Sequence, residues 1–368
     1  MSDAGPPVPS IRRVAEAGRG GVGPGTLGFR LARPEDVPAC ARVWERSIAD
    51  YERRLNQPVF PGDLGPIERL IGHIQATDPE LSWVATRTPG RFWSATRTAP
   101  PARASEDHVE EVVAFGAAHV RGDVWFLSML FVIPEEQGVG LGNALLERTF
   151  PGGSLPSDGV AWRGGEGLPS ILGTSTDSAQ PISNALYGRY GIVPRLPVYR
   201  FVGRPERPEL LPALPDGVAA VRFDEVAAGP PDGPGHRELV DAIGAVDRAL
   251  LGYERPDDHR FLRLDGRLGY LYRGPDGAPV GYGYTSGVGR LGPIATLQPA
   301  LLAPVLAHLL ATVEPRGASS VWITGAAGPT FRMLLEAGFE LAGFPGLICW
   351  TAPFAPFDRY VPISLAIM

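Results

Sequence analysis

The sequence predicts an α/β protein of two domains, in which strands alternate with helices. Its 368 residues are more than one typical hydrophobic core needs and suit two domains of ordinary size. A proline-rich stretch separates two series of predicted strands and helices that follow a similar order. We therefore predict a disordered tail over residues 1–26, a first domain over 27–204, a linker over 205–216 and a second domain over 217–368.

The first half of the first domain is predicted from apolar patterns and their boundaries. A short strand over 29–32 is followed by a helix that Pro34 opens, with apolar residues at helical spacing over 37–48. The stretch between the next two strands is rich in Pro, Thr, Ala and Arg and ends near Asp107, which indicates a flexible insertion. Those two strands are predicted over 81–86 and 109–120.

The second half of the first domain centres on an uncharged segment. Residues 124–133 are apolar on both faces, which is typical of a central strand buried on both sides. A helix with an apolar face follows near Leu141, and a Gly/Pro/Ser-rich loop begins at Pro151. The remaining elements are predicted as a strand over 170–174, a helix over 182–187 and a strand over 198–202.

The second domain partly repeats this order. A hairpin is predicted over 268–286, because two apolar runs flank the turn sequence GPDG. The other elements are predicted as strands over 219–223, 291–297, 320–324 and 347–350 and helices over 238–251, 299–313 and 329–337.

The composition excludes several classes of partner. Charged residues account for 20% of the chain, and 34 basic against 40 acidic residues give a formal charge of -6, so no basic surplus can neutralise a nucleic-acid backbone. No apolar stretch reaches the ~18 residues of a membrane span, and the first residues lack the apolar run of a signal peptide. We expect a cytoplasmic protein with no nucleic-acid or membrane partner; the oligomeric state is left open, a homodimer included.

The cysteines indicate neither a disulfide framework nor a metal site. Cys40 and Cys349 are far apart and lie in apolar contexts, where buried cysteine behaves as a small hydrophobic residue. No Cys/His cluster has metal-ligand spacing. We therefore expect no metal cofactor.

The most informative segment is LSMLFVIPEEQGVGLGNALL, residues 127–146. Gly138, Gly140 and Gly142 let a ligand approach the main chain, and unpaired N–H groups at a helix start favour an anion. A P-loop would need Gly-Lys-Ser/Thr here, and a dinucleotide fingerprint would need Gly instead of Asn143, so neither motif fits. An ordinary glycine-rich turn is the remaining alternative.

Two motifs resemble those of the GNAT superfamily of N-acetyltransferases. The first is a strand that ends in V-x-P, followed by Arg or Gln, two free positions, Gly, one free position, and Gly or Ala. Residues 132–142 match it throughout. The second places a Tyr four residues before a Gly that precedes an apolar residue, which Tyr187, Gly191 and Ile192 fit. The frequent Asn seven residues before that Tyr is replaced by Gln180.

The resemblance implies two GNAT-like domains, each with a mixed, largely antiparallel central sheet flanked by helices. It also implies that acetyl-CoA lies where the central strand diverges from the next one, as the acyl donor to an amine that attacks it directly. The implied acetyl-CoA contacts are the main chain of Phe131, Val132 and Ile133 for the pantetheine arm, the loop Gln137, Gly138, Val139, Gly140, Leu141 and Gly142 for the pyrophosphate, and Gln180.

The resemblance assigns the role of general acid to Tyr187, which would protonate the leaving thiolate. The general base is left open among several groups. His119 is our candidate because its side chain titrates in a useful range. The alternatives are Glu135, Glu136, an ordered water and the carboxylate of Met368.

The second domain lacks the groups that the chemistry needs. Leu301, Leu302 and Val305 replace the glycine loop, and Leu334 stands at the tyrosine position. We expect this copy to be structural or to shape the acceptor cleft.

The acceptor itself cannot be identified from the sequence. The resemblance implies that the first helices and their connecting loop, about residues 44–74, shape its pocket. Asp50, Tyr51 and Glu52 could attract a cation there, and an exposed acidic helix end is the alternative. A non-catalytic protein that binds acyl-CoA is the alternative to an acyltransferase.

Overall fold

The computed structural model describes residues 26–59, 62–88, 110–153, 164–165, 167–230 and 232–368. Almost all of the predicted N-terminal tail and most of the predicted insertion that ends near Asp107 lie outside these residues, so both stay predictions.

The first unit, as we call the elements before the predicted linker, contains α/β structure throughout. Its helix α1 buries Cys40, Ala41 and Val43 on one side, as the apolar spacing predicts. The strands and helices are β1 (Thr26–Leu31), α1 (Val37–Arg54), α2 (Gly65–Thr77), β2 (Ser82–Thr88), β3 (Glu111–Arg121), β4 (Val124–Val132), α3 (Leu141–Arg148), β5 (Ile171–Asp177), α4 (Pro181–Gly188) and β6 (Val193–Gly203).

The second unit follows the linker and includes the predicted hairpin, β8 paired antiparallel with β9. Its elements are β7 (Ala219–Arg222), α5 (Phe223–Val226), α6 (Pro234–Leu251), α7 (Pro256–Leu264), β8 (Leu268–Arg273), β9 (Pro279–Thr285), β10 (Ile294–Thr296), α8 (Leu302–Thr312), β11 (Ser319–Thr324), α9 (Gly328–Glu336), β12 (Glu340–Leu341), β13 (Gly346–Trp350) and β14 (Tyr360–Val361).

The described strands form two mixed or antiparallel sheets. The larger has the order β1-β2-β3-β4-β5-β13-β6-β11, with β12 also pairing with β6, and the smaller has the order β14-β10-β9-β8-β7. The β4–β5 pair is parallel, whereas the other strand pairs within these two sheets are antiparallel. The predicted fold class, with its mixed and largely antiparallel sheet flanked by helices, is confirmed.

The two units exchange strands. Strand β13 of the second unit lies between β5 and β6 of the first unit, and β6 in turn pairs with β11 of the second unit. The larger sheet is therefore continuous across both units. Hydrogen-bonded strand pairs thus cross the predicted linker. The domain boundaries drawn from the proline-rich stretch stay a prediction.

Strand β6 is longer than the sequence predicts. The prediction began at residue 198, whereas the strand begins at Val193 and includes Pro194 and Pro197. Both prolines face β13, where the register shifts between Ile348 and Cys349. Proline is tolerated at such an irregularity, since a bulge leaves some N–H groups of the strand unpaired.

Candidate functional site

A gap opens between β4 and β5. The two strands pair only over the four residues from Val124 to Leu127, which face 171–174. Immediately afterwards the register of β4 against β3 shifts, so that Ser128 is an extra residue in β4. A bulge of this kind bends the strand that carries it. Beyond Leu127, the β5-facing edge of β4 has no strand partner among the described residues.

The glycine-rich loop lies at the end of β4 and leads into α3. Gly138 and Gly140 have φ values of 83° and 92°, a conformation that side chains beyond glycine rarely adopt. Among the described residues, no acceptor is found for the main-chain N–H groups of residues 138–142. A Cβ atom at Gly138 or Gly140 would meet nothing within 4 Å, so the loop surface is bare. These amides are free to bind an anion at the start of a helix.

The end of β4 is partly occupied by side chains. The Val132 carbonyl oxygen accepts a hydrogen bond from Ser47 Oγ of α1 and another from Gln137 Nε2, each at 3.0 Å. The Ile133 N–H donates to the Val113 carbonyl of β3. Because main-chain groups alternate in direction along a strand, Val132 faces the gap whereas Phe131 and Ile133 face β3. A pantetheine arm that paired with the Val132 carbonyl would have to displace the Gln137 side chain.

Tyr187 lies on α4, buried in the same apolar cluster as Leu127, at which the β4–β5 pairing ends. Burial raises the pKa of its phenol, and the neighbouring Cys349 thiol raises it further. The phenol therefore keeps its proton at neutral pH. Cys349 belongs to β13, so a residue of the second unit contacts the predicted acid.

Gln180 is the residue before α4, and the structure places it two helical turns from Tyr187. Its main-chain oxygen accepts bonds from the N–H and the side-chain amide of Asn184. The side-chain oxygen of Asn184 is buried and has no hydrogen-bond partner within the described residues. Asn184 was not among the predicted site residues, because its spacing from Tyr187 matches no part of the motif.

His119 is buried on β3 beside the bulge. Its Nδ1 lies 2.8 Å from Ser128 Oγ, and its ring stacks on Phe126. Burial, and secondly the positive charge of Arg121, lower the pKa of His119 to about 4. The side chain is therefore neutral at pH 7 and a weak base. Its predicted catalytic role stays a prediction, and its contact with Ser128 stabilises the bulge.

The other groups considered as bases already have partners. Glu135 pairs with Arg46 at 3.0 Å, and the buried Glu136 pairs with Arg87. The main-chain oxygen of Met368 accepts a 2.6 Å hydrogen bond from Arg255.

The second unit presents no glycine loop at the corresponding place. Leu301, Leu302 and Val305 are buried there, with Leu302 and Val305 fully inaccessible. Leu334, at the tyrosine position, is also fully buried in α9. Packed leucines in this region leave no bare main chain for a diphosphate.

Comparison with known proteins locates this geometry in a fold family. No family model and no curated protein sequence matches the chain. A proposed acetyltransferase from Pyrococcus horikoshii is similar to it with a TM-score of 0.63 and 14% identity, over 93% of this chain and 96% of the other. The GCN5-related N-acetyltransferase from Sphaerobacter thermophilus gives a TM-score of 0.50 and 16% identity, over 90% and 98%.

The chain has the GNAT fold. Both similarities extend over at least 90% of the chain, so they include both units. The predicted resemblance is thereby confirmed at the level of the fold.

Two further properties of the described residues concern membranes and metals. Among the helices in the described ranges, none combines the length and the apolar character needed to cross a membrane. In the same part of the chain, no three His, Cys, Asp or Glu side chains are grouped so as to hold a metal ion.

Proposed function

We propose that the protein is an acyl-CoA-dependent N-acyltransferase that transfers an acetyl group to an amine by direct attack in a ternary complex. The observation that carries this proposal is the set of unpaired main-chain N–H groups over residues 138–142, next to a gap between two parallel strands. These amides lie at an exposed, bare surface at the start of a helix, so an anion can replace the water that otherwise satisfies them. The GNAT fold of the whole chain supports the same reading.

The residues of the loop suit the pyrophosphate of acetyl-CoA. Their N–H groups point outward at the start of α3, where the helix dipole adds a partial positive charge. This arrangement binds an anion without Lys, which the sequence lacks entirely. The gap-facing edge of β4 at Val132 would hold the pantetheine arm once Gln137 turns away. The family resemblance adds Gln180, the residue before α4, as a further contact to the cofactor.

Tyr187 supplies the proton that the leaving thiolate needs. When bound, acetyl-CoA supplies the thioester carbon that the amine attacks. The phenol is protonated because burial raises its pKa, and α4 fixes it beside the point where β4 and β5 separate. A positioned acid of this kind typically contributes 10²–10⁴-fold to the rate. The proton of the amine leaves to water or to His119, which is a weak acceptor because its pKa is lowered to about 4.

A protein that binds acyl-CoA without turnover is the second candidate. It is favoured by the lack of a strong base among the groups considered, since Glu135 and Glu136 are ion-paired and the pKa of His119 is lowered to about 4.

One experiment separates the two candidates. Calorimetry with CoA and with acetyl-CoA tests binding, and thiol release from acetyl-CoA against a panel of primary amines tests transfer. We expect micromolar binding and amine-dependent thiol release. Binding without thiol release for any amine would favour the second candidate, and the absence of binding would reject both.

A further inference from the structure

The carboxylate of Asp177 lies at the end of β5, on one defined face of the sheet. Side chains alternate along a strand, so Asp177 shares a face with Ser175 and Gly173. Gly173 packs beneath Phe354, and Ser175 Oγ donates to the Leu365 carbonyl. This face is therefore the one that the C-terminal segment of the second unit covers. The opposite face carries α4 and Tyr187.

Two elements flank Asp177 on this face. Its cross-strand partner in β13 is Gly346, and the Leu365 side chain packs over Gly346. Tyr51 of α1 also lies next to the Asp177 carboxylate, one turn after Ser47, which contacts the Val132 carbonyl at the gap. The Asp177 carboxylate is thus placed between the first unit's α1 and the second unit's C-terminal segment.

The polar groups at this place keep acceptor capacity that the protein does not use. The Tyr51 hydroxyl is buried next to the Asp177 carboxylate, and burial and secondly this carboxylate raise the pKa of Tyr51, although the pair lacks full hydrogen-bond geometry. Asp177 has no ion-pair partner among the described Arg and His side chains; one of its oxygens accepts the Ala179 N–H. By contrast, Asp50 of the same α1 helix is paired with Arg54 at 2.6 Å.

The C-terminal segment of the second unit adds apolar surface to this face of the sheet. Phe354 packs against Gly173 and Leu365 packs against Gly346, and both belong to or contact one buried apolar cluster. A half-buried carboxylate on the same face as apolar side chains suits a cation that carries an apolar body.

We propose that Asp177 and Tyr51 bind the ammonium group of the acyl acceptor, whose apolar part contacts the second unit's C-terminal segment. This inference rests on the proposed function and specifies its acceptor as a cationic amine that carries a hydrocarbon or aromatic body. An ammonium has three N–H donors. The Asp177 carboxylate keeps lone pairs beyond the one that the Ala179 N–H uses, so this carboxylate and the Tyr51 oxygen are acceptors for two of those donors. Asp177 and Tyr51 are specificity residues in this proposal, distinct from the acid Tyr187.

Binding of a probe amine tests the site without requiring turnover. We would titrate 2-phenylethylamine, a cation at neutral pH, and its neutral analogue 2-phenylethanol into the full-length protein, and follow binding by NMR. Asp177→Asn keeps an oxygen for the Ala179 N–H while removing the charge, so the fold is preserved. For Asp177→Asn we expect the amine to bind at least tenfold more weakly and the Kd of the alcohol to change less than twofold. For Tyr51→Phe we expect a smaller loss of amine affinity. Asp50→Asn is the matched control and should change neither Kd.

The outcomes distinguish this inference from the proposed function. Equal amine affinity in wild type and Asp177→Asn would overturn the inference, even if the enzyme transfers acetyl groups. An equal loss of affinity for the amine and the alcohol would also overturn it, because the site would then not recognise the positive charge of the ligand. A selective loss of amine binding in a protein that binds no acetyl-CoA would support the cation site and reject the transferase.

Discussion

Tyr187 illustrates how a single residue depends on both units. Its phenol lies on α4 of the first unit, and its neighbour Cys349 comes from β13 of the second. Burial keeps both groups protonated, since burial also raises the pKa of the Cys349 thiol to about 12. The pair therefore carries no charge at neutral pH, which suits a donor that must hold its proton until a thiolate leaves.

The acid role of Tyr187 predicts a specific kinetic defect. Tyr187→Phe removes only the hydroxyl, so we expect kcat to fall about 100-fold while acetyl-CoA affinity changes less than threefold. Tyr190→Phe is the matched control, because the Tyr190 hydroxyl bonds to Asn143 and Glu147 of α3 instead of facing the gap. Steady-state kinetics with calorimetry measures both; equal kcat values for wild type and Tyr187→Phe would remove this residue from catalysis.

The lowered pKa of His119 should make the stability of the protein depend on pH. The unfolded imidazole binds a proton near pH 6.5, whereas burial lowers the pKa of the folded His119 to about 4. Between these values the unfolded state holds the extra proton, so the free energy of unfolding falls as the pH falls, by at most about 1.4 kcal/mol per pH unit. The stability is fully retained above pH 6.5.

Urea unfolding of wild type and His119→Gln at pH 7.5, 6 and 5 checks this expectation. Glutamine can keep a bond to Ser128 but does not titrate, so the stability difference between the two proteins should shrink toward pH 5. Parallel curves would show that His119 is protonated equally in both states. The buried His259 is present in both proteins, and its contribution cancels in the difference.

At the scale of elements, the strand β4, the loop and the helix α3 together form the proposed acetyl-CoA site. Their order was predictable because an uncharged apolar run, a Pro and three spaced glycines are all local signals. The bulge at Ser128 was not predictable, since it exists only in the register between β4 and β3. Asp177 was missed for a related reason: nothing near it in sequence indicates that Tyr51 packs beside it.

Substitution of Gly140 tests whether the loop binds acetyl-CoA, provided that the effect on binding is separated from the effect of backbone strain. Alanine at its φ of 92° should cost roughly 1–2 kcal/mol, and its methyl group would stand among the outward amides. We expect Gly140→Ala to weaken acetyl-CoA binding at least tenfold. Gly152→Ala carries similar strain at a φ of 85°, also with nothing within 4 Å of the new Cβ, and lies outside the loop.

Calorimetry and thermal unfolding of both glycine variants complete the comparison. We expect the two variants to lose similar amounts of stability, and only Gly140→Ala to lose affinity for acetyl-CoA. If the two variants bind acetyl-CoA equally well, the loop amides do not hold its pyrophosphate.

At the scale of the whole molecule, the strand exchange joins the two units through main-chain hydrogen bonds. The similar order of elements in the two units was predictable from sequence, because it depends on local patterns. The insertion of β13 between β5 and β6 was not, because pairing between such distant segments leaves no trace in composition or spacing. The prolines of β6 also disfavour a strand in sequence terms, so the part of β6 before residue 198, which pairs with β13, was not predicted.

The exchange predicts that cutting the linker does not separate the units. A protease site inserted after the exposed Asp216 would allow the folded protein to be cleaved between β6 and β7. We expect the two fragments to elute together from a sizing column and to unfold in a single thermal transition, as the uncut protein does. Fragments that dissociate on dilution, or two separate transitions, would contradict a continuous sheet.

The position of β13 also has a consequence during synthesis on the ribosome. The edges of β5 and β6 are translated long before the segment that pairs between them, which emerges only near the end of the chain. At roughly 5–20 residues per second, the interval lasts on the order of 10 s. Throughout it, the nascent first unit exposes two unpaired strand edges, which invite pairing with other chains. Cellular yield should therefore depend on how long holdase chaperones protect those edges.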